Sequence, residues 1–142
     1  MNYIGSGACN CAGYTGTALG AGIGYLQGTF GLVIDALISV DMITAKGEQI
    51  KVTDSSNPDL FWAIRGAGAN FGIVTSATYR LSKPVNGGLV FHAELAFSAA
   101  QQETYFKTME AYQVNMPSEL GFSTALFWDA ANNSVSSPSQ SM

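Results

Sequence analysis

The chain has 142 residues, of which 47% are hydrophobic and only 11% are charged, and its net charge is −4. This is the length of one ordinary domain with enough apolar surface for a core, so the composition argues against a disordered chain. The acidic balance argues against nucleic acid, which requires clustered Lys and Arg, and against a polybasic membrane anchor. We therefore expect neither nucleic acid nor a membrane among its partners.

The first residues contain no basic region followed by an apolar run, and the most apolar stretches are interrupted by Gly, Asp or Lys. Because a spanning helix needs roughly 20 apolar residues, the sequence predicts no transmembrane segment. It predicts no signal peptide either. The cellular location of the chain is left open.

Glycine is concentrated near the N-terminus, since more than half of the 16 glycines lie in residues 5–31. Residues 5–24 have the sequence GSGACNCAGYTGTALGAGIG. Leu19, Ile23 and Leu26 are spaced for one face of a helix, which predicts a short helix over Thr17–Gln27. Each glycine weakens such a helix by up to about 1 kcal/mol relative to Ala. Backbone packing or contact with a ligand should explain that cost.

The next segments predict a sheet with one short helix. ALISVDMITA (36–45), a Lys-Gly turn and EQIKVT (48–53) predict a β-hairpin. Pro58 then suits the first turn of a helix over Asp59–Arg65, and the alternating sequence of Gly72–Leu81 predicts another strand. Phe61 and Trp62 are expected in the core rather than against a cofactor.

A boundary is expected near Pro84, where the character of the sequence changes. Beyond it we predict a strand over Leu89–Phe97, a helix from Ser98 to about Val114, and a strand over Gly121–Trp128. Residues 131–142 are rich in Ser and Asn and are predicted to be a disordered tail. The fold class is α+β, with antiparallel strands and short helices in two unequal blocks.

Metal and nucleotide motifs are not recognisable. Cys9 and Cys11 are too close together for the usual zinc spacing and have no second ligand pair, so two small residues in a glycine loop are the simpler interpretation. Neither the glycine-rich segment at residues 20–24 nor the one at residues 66–72 fits G-x-G-x-x-G, and no Gly-Lys-Ser/Thr is present. A generic backbone cradle for a phosphate stays open. The sequence predicts no metal site.

The acid–base residues form no recognisable catalytic arrangement. His92, the single histidine, lies among apolar neighbours and is expected to be a sheet residue rather than a base. Asp35 has no paired acid and is expected to fix a turn. The catalytic residues are therefore unknown from the sequence.

Two motifs together resemble one protein family. They are L-G-x-G-x-G-x-L-Q-G-x-x-G-L, from Leu19 to Leu32, and N-P-D-L-F-W-A-x-R-G-x-G-x-N-F-G-I-V-T, from Asn57 to Thr75. Residues 4–83 resemble the PCMH-type FAD-binding domain of the vanillyl-alcohol-oxidase type. The subgroup is the FAD-linked oxidases similar to berberine bridge enzyme, particularly the fungal ones. The remainder resembles the start of their substrate domain.

The resemblance implies a domain plan and a chemistry. Residues 1–84 would be the second subdomain of the FAD-binding domain, residues 85–130 the beginning of an α+β substrate domain, and residues 131–142 the tail. The family oxidises a substrate C–H by hydride transfer to FAD, and dioxygen commonly reoxidises the flavin. The implied partners are therefore a small-molecule substrate and dioxygen. The flavin supplies the redox chemistry, while the protein positions it.

The resemblance also implies a set of cofactor-binding residues. Cys9 falls where some members carry a covalent cysteinyl link to FAD, and a thiolate is suited to that bond. Cys11 would be a packing residue, and Thr17 stands where many relatives have His. The main chain would pass close to FAD at the remaining positions, which are Gly13, Gly16, Gly20, Gly22, Gly72 and Val74.

The family pattern extends beyond this chain on both sides. An N-terminal subdomain with an Arg- and Gly-rich loop and a late segment with the catalytic base have no counterpart here, so the resemblance implies a fragment. Whether this chain alone is an enzyme is left open. One alternative is an inactive truncated remnant that acts as a binding module, because open strand edges are adhesive. Another is an unrelated α+β domain that binds a different anion.

Overall fold

A three-stranded antiparallel sheet forms the centre of the fold. Its middle strand is β1 (Leu37–Ile43), which pairs with β2 (Gln49–Thr53) on one side and β3 (Ile73–Tyr79) on the other. The coordinates are a computed structural model that describes residues 4–5, 7, 9–93, 95, 97–129 and 134–136. The predicted hairpin and the predicted third strand are confirmed.

The hairpin register follows from which side chains reach the core. Val40 lies opposite Val52, and Met42 lies opposite Ile50. The side chains of Val40, Val52 and Met42 are fully buried. The connecting turn contains Gly47 at φ +81°, a backbone conformation that L side chains rarely adopt. The Lys-Gly signal in the sequence therefore marks the turn that sets the register.

Helix α3 (Pro58–Ala67) covers the buried face of the sheet, and its backbone departs from helical geometry at Arg65 and Gly66. The predicted helix over Asp59–Arg65 is thus confirmed. Ile64 and Phe61 are buried, whereas Trp62 is 80% exposed. The expectation that Trp62 belongs to the core is wrong, because successive helical residues point about 100° apart and only one of the pair can face the sheet.

One hydrophobic core holds these elements together. Burying each of its larger side chains stabilises the fold by about 1.5–3 kcal/mol relative to exposure. Its buried members come from the glycine-rich region, the 3-10 turn at Val33–Ala36, the sheet and α3: Ala18, Val33, Ile34, Leu37, Val40, Met42, Val52, Phe61 and Ile64.

The predicted helix over Thr17–Gln27 is wrong. Two short helices are present instead, α1 (Tyr14–Leu19) and α2 (Gln27–Phe30), with an irregular segment between them. Ala21 has φ 78° and Gly22 has φ 74°, which no α-helix allows. The glycines therefore interrupt the helical pattern.

Asp35 joins two parts of the fold. One carboxylate oxygen accepts a hydrogen bond from the Leu32 backbone N–H at 2.9 Å, and the other forms an ion pair with Arg65 at 2.8 Å. The expectation that Asp35 fixes a turn is confirmed by the first contact. The second contact links this turn to α3.

The segment beyond Pro84 has little regular structure apart from α4 (Gln102–Gln113) and the two-stranded pair β4 (Phe127–Asp129) and β5 (Ser134–Ser136). The predicted helix from Ser98 is confirmed by a 3-10 turn over Ala99–Gln101 that continues into α4. Among the described helices, none has the length and apolar character to cross a membrane.

Three predictions for this segment need correction. The described residues of 89–97 form no strand, and residues 121–126 precede β4 rather than belong to it. An alternating pattern becomes a strand only when a partner strand satisfies its backbone groups. Conversely, Ser134–Ser136 pairs with β4 although it lies in the predicted disordered tail, because ladder hydrogen bonds come from the backbone and need no apolar side chain. The other tail residues lie outside the described ones.

The two blocks separated near Pro84 contact each other through backbone atoms and through the Thr29 hydroxyl. Thr29 donates a hydrogen bond from its hydroxyl to the Ser118 carbonyl at 3.0 Å. A Cβ at Gly28 would overlap the Ser118 carbonyl, and one at Gly121 would overlap the Tyr25 carbonyl. These glycines permit a close approach between the segments around residues 25–29 and 118–121. The division of the chain into domains at this boundary stays a prediction.

Candidate cofactor site

Two exposed thiols lie in contact in the N-terminal glycine loop. The Cys9 and Cys11 sulfur atoms are 2.6 Å apart, and the Ala12 backbone N–H donates to the Cys9 carbonyl at 3.3 Å, which closes a tight turn. The Cys11 thiol, followed by the Cys11 backbone N–H, hydrogen-bonds to Cys9 and lowers the pKa of the Cys9 thiol. The Cys9 thiolate, which is the nucleophilic form, is therefore favoured.

Cys11 does not pack in the interior. Its side chain is exposed, so the expectation of a packing residue is wrong. Because both thiols of this loop point to solvent, Cys11 has no buried neighbours to pack against. Within the described part of the chain, no three His, Cys, Asp or Glu side chains are grouped as metal ligands.

Neither packing nor backbone conformation requires glycine at Gly13 or Gly16. An added Cβ at either position would meet nothing within 4 Å, and neither residue has a left-handed backbone. At Gly20 the nearest atom would be the Thr17 carbonyl oxygen at 3.7 Å, which is ordinary contact. The open side of this loop can therefore admit a ligand against the main chain.

Gly22 and Gly72 are required by the fold itself. A Cβ on Gly22 would lie 2.5 Å from the Val33 Cβ, and one on Gly72 would overlap the Ile43 carbonyl of β1. Gly72 also has φ +148° and immediately precedes β3. Contact of these glycines with FAD stays a prediction, since internal packing is sufficient to explain both.

Val74 lies in β3 opposite Met42 and is partly buried against the core. Gly72 lies about 23 Å along the strand from Tyr79, at roughly 3.3 Å per residue. The Tyr79 end contacts the beginning of α1, through Tyr14. Cys9, Gly13 and Gly16 thus share one loop and helix, whereas Gly72 and Val74 belong to the sheet.

Tyr14 and Tyr79 hold the glycine loop in place, although the sequence analysis does not identify them. The Tyr14 hydroxyl donates to the Gly5 carbonyl at 3.0 Å, and the Tyr79 hydroxyl donates to Thr15 Oγ1 at 3.3 Å. Burial, with a smaller contribution from Tyr79, raises the pKa of Tyr14 to about 12. No local pattern reveals a pair separated by so many residues.

Two open grooves of about 330 and 300 Å³ lie between the segment around Tyr25 and the segment near Leu120. His92 lines the larger groove together with aromatic side chains such as Phe91 and Tyr105. His92 is exposed and outside any strand, so the expectation of a sheet residue is wrong. Neither groove is lined by Cys9, Gly13 or Gly16.

Curated fungal proteins are similar in sequence over most of the chain. FAD-linked oxidoreductase tazG of Aspergillus terreus is 42% identical over 127 residues, which is 89% of this chain and 26% of that protein. FAD-linked oxidoreductase srdI of Neurospora crassa is 50% identical over 104 residues, which is 73% of this chain and 20% of that protein. No family model matches the chain.

Solved structures are similar in fold. BBE-like 1 of Physcomitrella patens matches with a TM-score of 0.76 and 32% identity, over 95% of this chain and 28% of that chain. A glucooligosaccharide oxidase of Acremonium strictum matches with a TM-score of 0.71 and 27% identity, over 84% and 25% respectively. The antiparallel sheet with short helices is thus an α+β fold shared with oxidases of this type.

The chain spans about a quarter of the length of the curated relatives it matches. The similarity runs across both motifs that carry the resemblance in the sequence, and it is supported independently by the fold. Over most of its length the chain is therefore homologous to FAD-linked oxidoreductases, and its fold is that of oxidases similar to berberine bridge enzyme.

Proposed function

We propose that this chain contributes one wall of the FAD site in an FAD-dependent oxidoreductase that acts on a small-molecule substrate. One observation carries the proposal: the exposed Cys9 thiol, with its lowered pKa, lies in the same loop as Gly13, whose missing side chain leaves open space. The proposal covers the whole protein's activity, of which this chain supplies part.

The described residues fit FAD in their donor chemistry and in the room they leave. Cys9 would form the covalent thioether, and the main chain at Gly13, Gly16 and Gly20 would lie against the cofactor. Gly22, Gly72 and Val74 are proposed to contribute backbone contacts. The support for the covalent link is the solvent-facing thiol and the hydrogen bond from Cys11, which favours the thiolate needed for bond formation.

The protein would position the cofactor and keep it fixed. FAD, when bound, would accept a hydride from a substrate C–H and pass the electrons to dioxygen. The Tyr14–Tyr79 contact would hold the loop that bears Cys9 against β3, so that the thiol faces a constant position. We assign residues 1–84 to the second subdomain of the FAD-binding domain and residues 85–130 to the start of the substrate domain.

The substrate belongs to a small-molecule class that the solved relatives illustrate. Structures similar to this chain include a xylooligosaccharide oxidase in complex with xylobiose and a chitooligosaccharide oxidase. A carbohydrate or another small metabolite with an oxidisable C–H is therefore proposed for the whole protein.

The test is to express the 142-residue chain, incubate it with FAD and separate free flavin on a desalting column. We expect a flavin absorbance spectrum and, after denaturation, flavin fluorescence that stays with the polypeptide. Cys9→Ser should abolish the resistant fluorescence. Cys11→Ser is the matched control, since serine keeps a hydrogen-bond donor, and it should retain the attached flavin. A colourless wild-type chain with no change in melting temperature on adding FAD would contradict the proposal.

A second function, an interaction module without catalysis, is favoured by the exposed apolar side chains. Trp62, Ile73 and Phe91 are 80%, 70% and 91% exposed. Exposed apolar side chains of this size can become buried in an interface with a partner. Light scattering distinguishes the two functions: a folded monomer that binds FAD favours the flavin site, whereas a stable oligomer that binds no FAD favours the module.

A further inference from the structure

We propose that Cys9 and Cys11 form a reversible disulfide, and that this disulfide withdraws Cys9 from reaction with the cofactor. The first part concerns only the two thiols. The second part rests on the proposed function, because it assigns Cys9 as the residue that attaches FAD.

The two thiols are placed for bond formation without rearrangement of the fold. Their sulfur atoms are 2.6 Å apart, and a disulfide is about 0.5 Å shorter than that. The turn closed by the Ala12 N–H brings the two residues together across a single intervening residue, Asn10. Both side chains are exposed, so a small oxidant and a small reductant can reach either sulfur atom.

Peroxide is the class of oxidant proposed. The Cys9 thiolate attacks one oxygen of hydrogen peroxide and the O–O bond breaks. That oxygen stays on the Cys9 sulfur as a sulfenic acid, and the other oxygen leaves as hydroxide. The Cys11 thiol then attacks the Cys9 sulfur, and the disulfide forms as water leaves. In total the two thiols lose two protons and two electrons, and one peroxide becomes two waters.

The exposed position and the short loop make the bond easy to reverse. A disulfide that encloses one residue removes little entropy from the unfolded chain, so it gains little stability. Exposed disulfides are also the ones that external thiols reduce readily. The pair should therefore respond to the thiol balance of its surroundings, and a Cys9 already bonded to FAD should no longer pair with Cys11.

Mass spectrometry of the whole 142-residue chain tests the disulfide without using FAD. The reduced chain is treated with hydrogen peroxide, alkylated with iodoacetamide and digested. We expect one peptide with Cys9 and Cys11 joined, two hydrogens lighter than the reduced form and not alkylated, which dithiothreitol converts to the doubly alkylated form. Cys11→Ser should instead accumulate a Cys9 sulfenic acid that dimedone traps. Oxidation of free glutathione under the same conditions is the control for the peroxide treatment. If that control succeeds, full alkylation of both cysteines would overturn the proposal. Disulfides that form only between two chains would also overturn it.

Incubating the reduced and the oxidised chain with FAD tests the second part. Covalent flavin on the reduced chain, with a yield on the oxidised chain that is smaller by about tenfold or more, would support it. Equal covalent yield on both would overturn it. No flavin on either form, with the disulfide peptide present, would overturn the proposed function and this second part, and would leave the disulfide established.

Discussion

The ring of Tyr14 stands edge-on to the ring of Tyr79, with the ring centroids 4.9 Å apart and the planes at 90°. Tyr14 begins α1, directly after Gly13, and Tyr79 ends β3, so this contact fixes the start of the glycine-rich region against the sheet. An aromatic pair of this geometry stabilises a fold by about 0.5–1.5 kcal/mol beyond its buried area. The open loop that carries Cys9 is thus attached to a rigid element.

The stability of the chain should fall as the pH rises from about 10 to about 12. Tyr14 has a pKa of about 12 in the fold, above the ordinary value of 10.0, so the unfolded chain loses this proton first. Ionisation in the unfolded state then draws the equilibrium toward unfolding, whereas below pH 10 both states hold the proton. Urea unfolding across this pH range measures the effect.

Tyr14→Phe isolates this contribution from the other groups that titrate at high pH. The variant should lose stability at neutral pH, because the hydrogen bond to the Gly5 carbonyl is absent, and should show a shallower decline above pH 10. Tyr25→Phe, at an exposed tyrosine, is the matched control. An unchanged slope for Tyr14→Phe would show that this hydroxyl does not cause the decline.

Replacing Gly13 or Gly16 by Ala should leave the fold intact and weaken the binding of FAD. Neither Cβ would meet a protein atom within 4 Å, and at Gly16, inside α1, Ala should raise stability by about 0.5–1 kcal/mol. We expect FAD affinity to fall about tenfold or more, which corresponds to about 1.4 kcal/mol. Calorimetric titration with FAD measures it, and Gly5→Ala, which also faces open space, should bind normally. Unchanged affinity in both variants would remove these glycines from the site.

Gly72→Ala should destabilise the sheet far more than Gly66→Ala. Both glycines have similar backbones, with φ +148° and +140°, so each Ala variant carries about 1–3 kcal/mol of backbone strain. The Cβ at position 72 would also overlap the Ile43 carbonyl, whereas the one at 66 would meet nothing within 4 Å. The overlap should add about 1–3 kcal/mol. Denaturant midpoints of the two variants decide the matter, and equal losses would refute the role of the overlap.

Ile64→Ala should lower the stability of the fold much more than Trp62→Ala, although both residues lie in α3. Ile64 is 0% exposed, so its truncation leaves a cavity and should cost about 2–5 kcal/mol. Trp62 is 80% exposed, and its truncation should change the free energy of unfolding by no more than about 0.5 kcal/mol. Chemical denaturation measures both, and a large loss at Trp62 would indicate a covered surface on that side of α3.

Local sequence patterns were enough to predict the elements whose turns or ends are marked by Gly or Pro. The Lys-Gly turn and the alternation around it predict β1 and β2, and Pro58 with the spacing of Leu60, Phe61 and Ile64 predicts α3. Local patterns failed where a segment becomes a strand only if another strand pairs with it. Residues 89–97 alternate like a strand and form none in the part described, while Ser134–Ser136 pairs without any apolar pattern.

For the candidate site, the sequence by itself determined the residue types: a thiol ahead of a run of glycines, followed by two motifs specific enough to indicate an FAD-linked family. Residue types and their spacing are local properties of the chain. Only the tertiary structure decided which glycines the fold requires, as at Gly22 and Gly72, and which leave space, as at Gly13. It also decided that Cys11 faces Cys9 in solvent and that Tyr79 holds Tyr14. Those relationships depend on distances between atoms that the chain brings together only when its apolar side chains share one core.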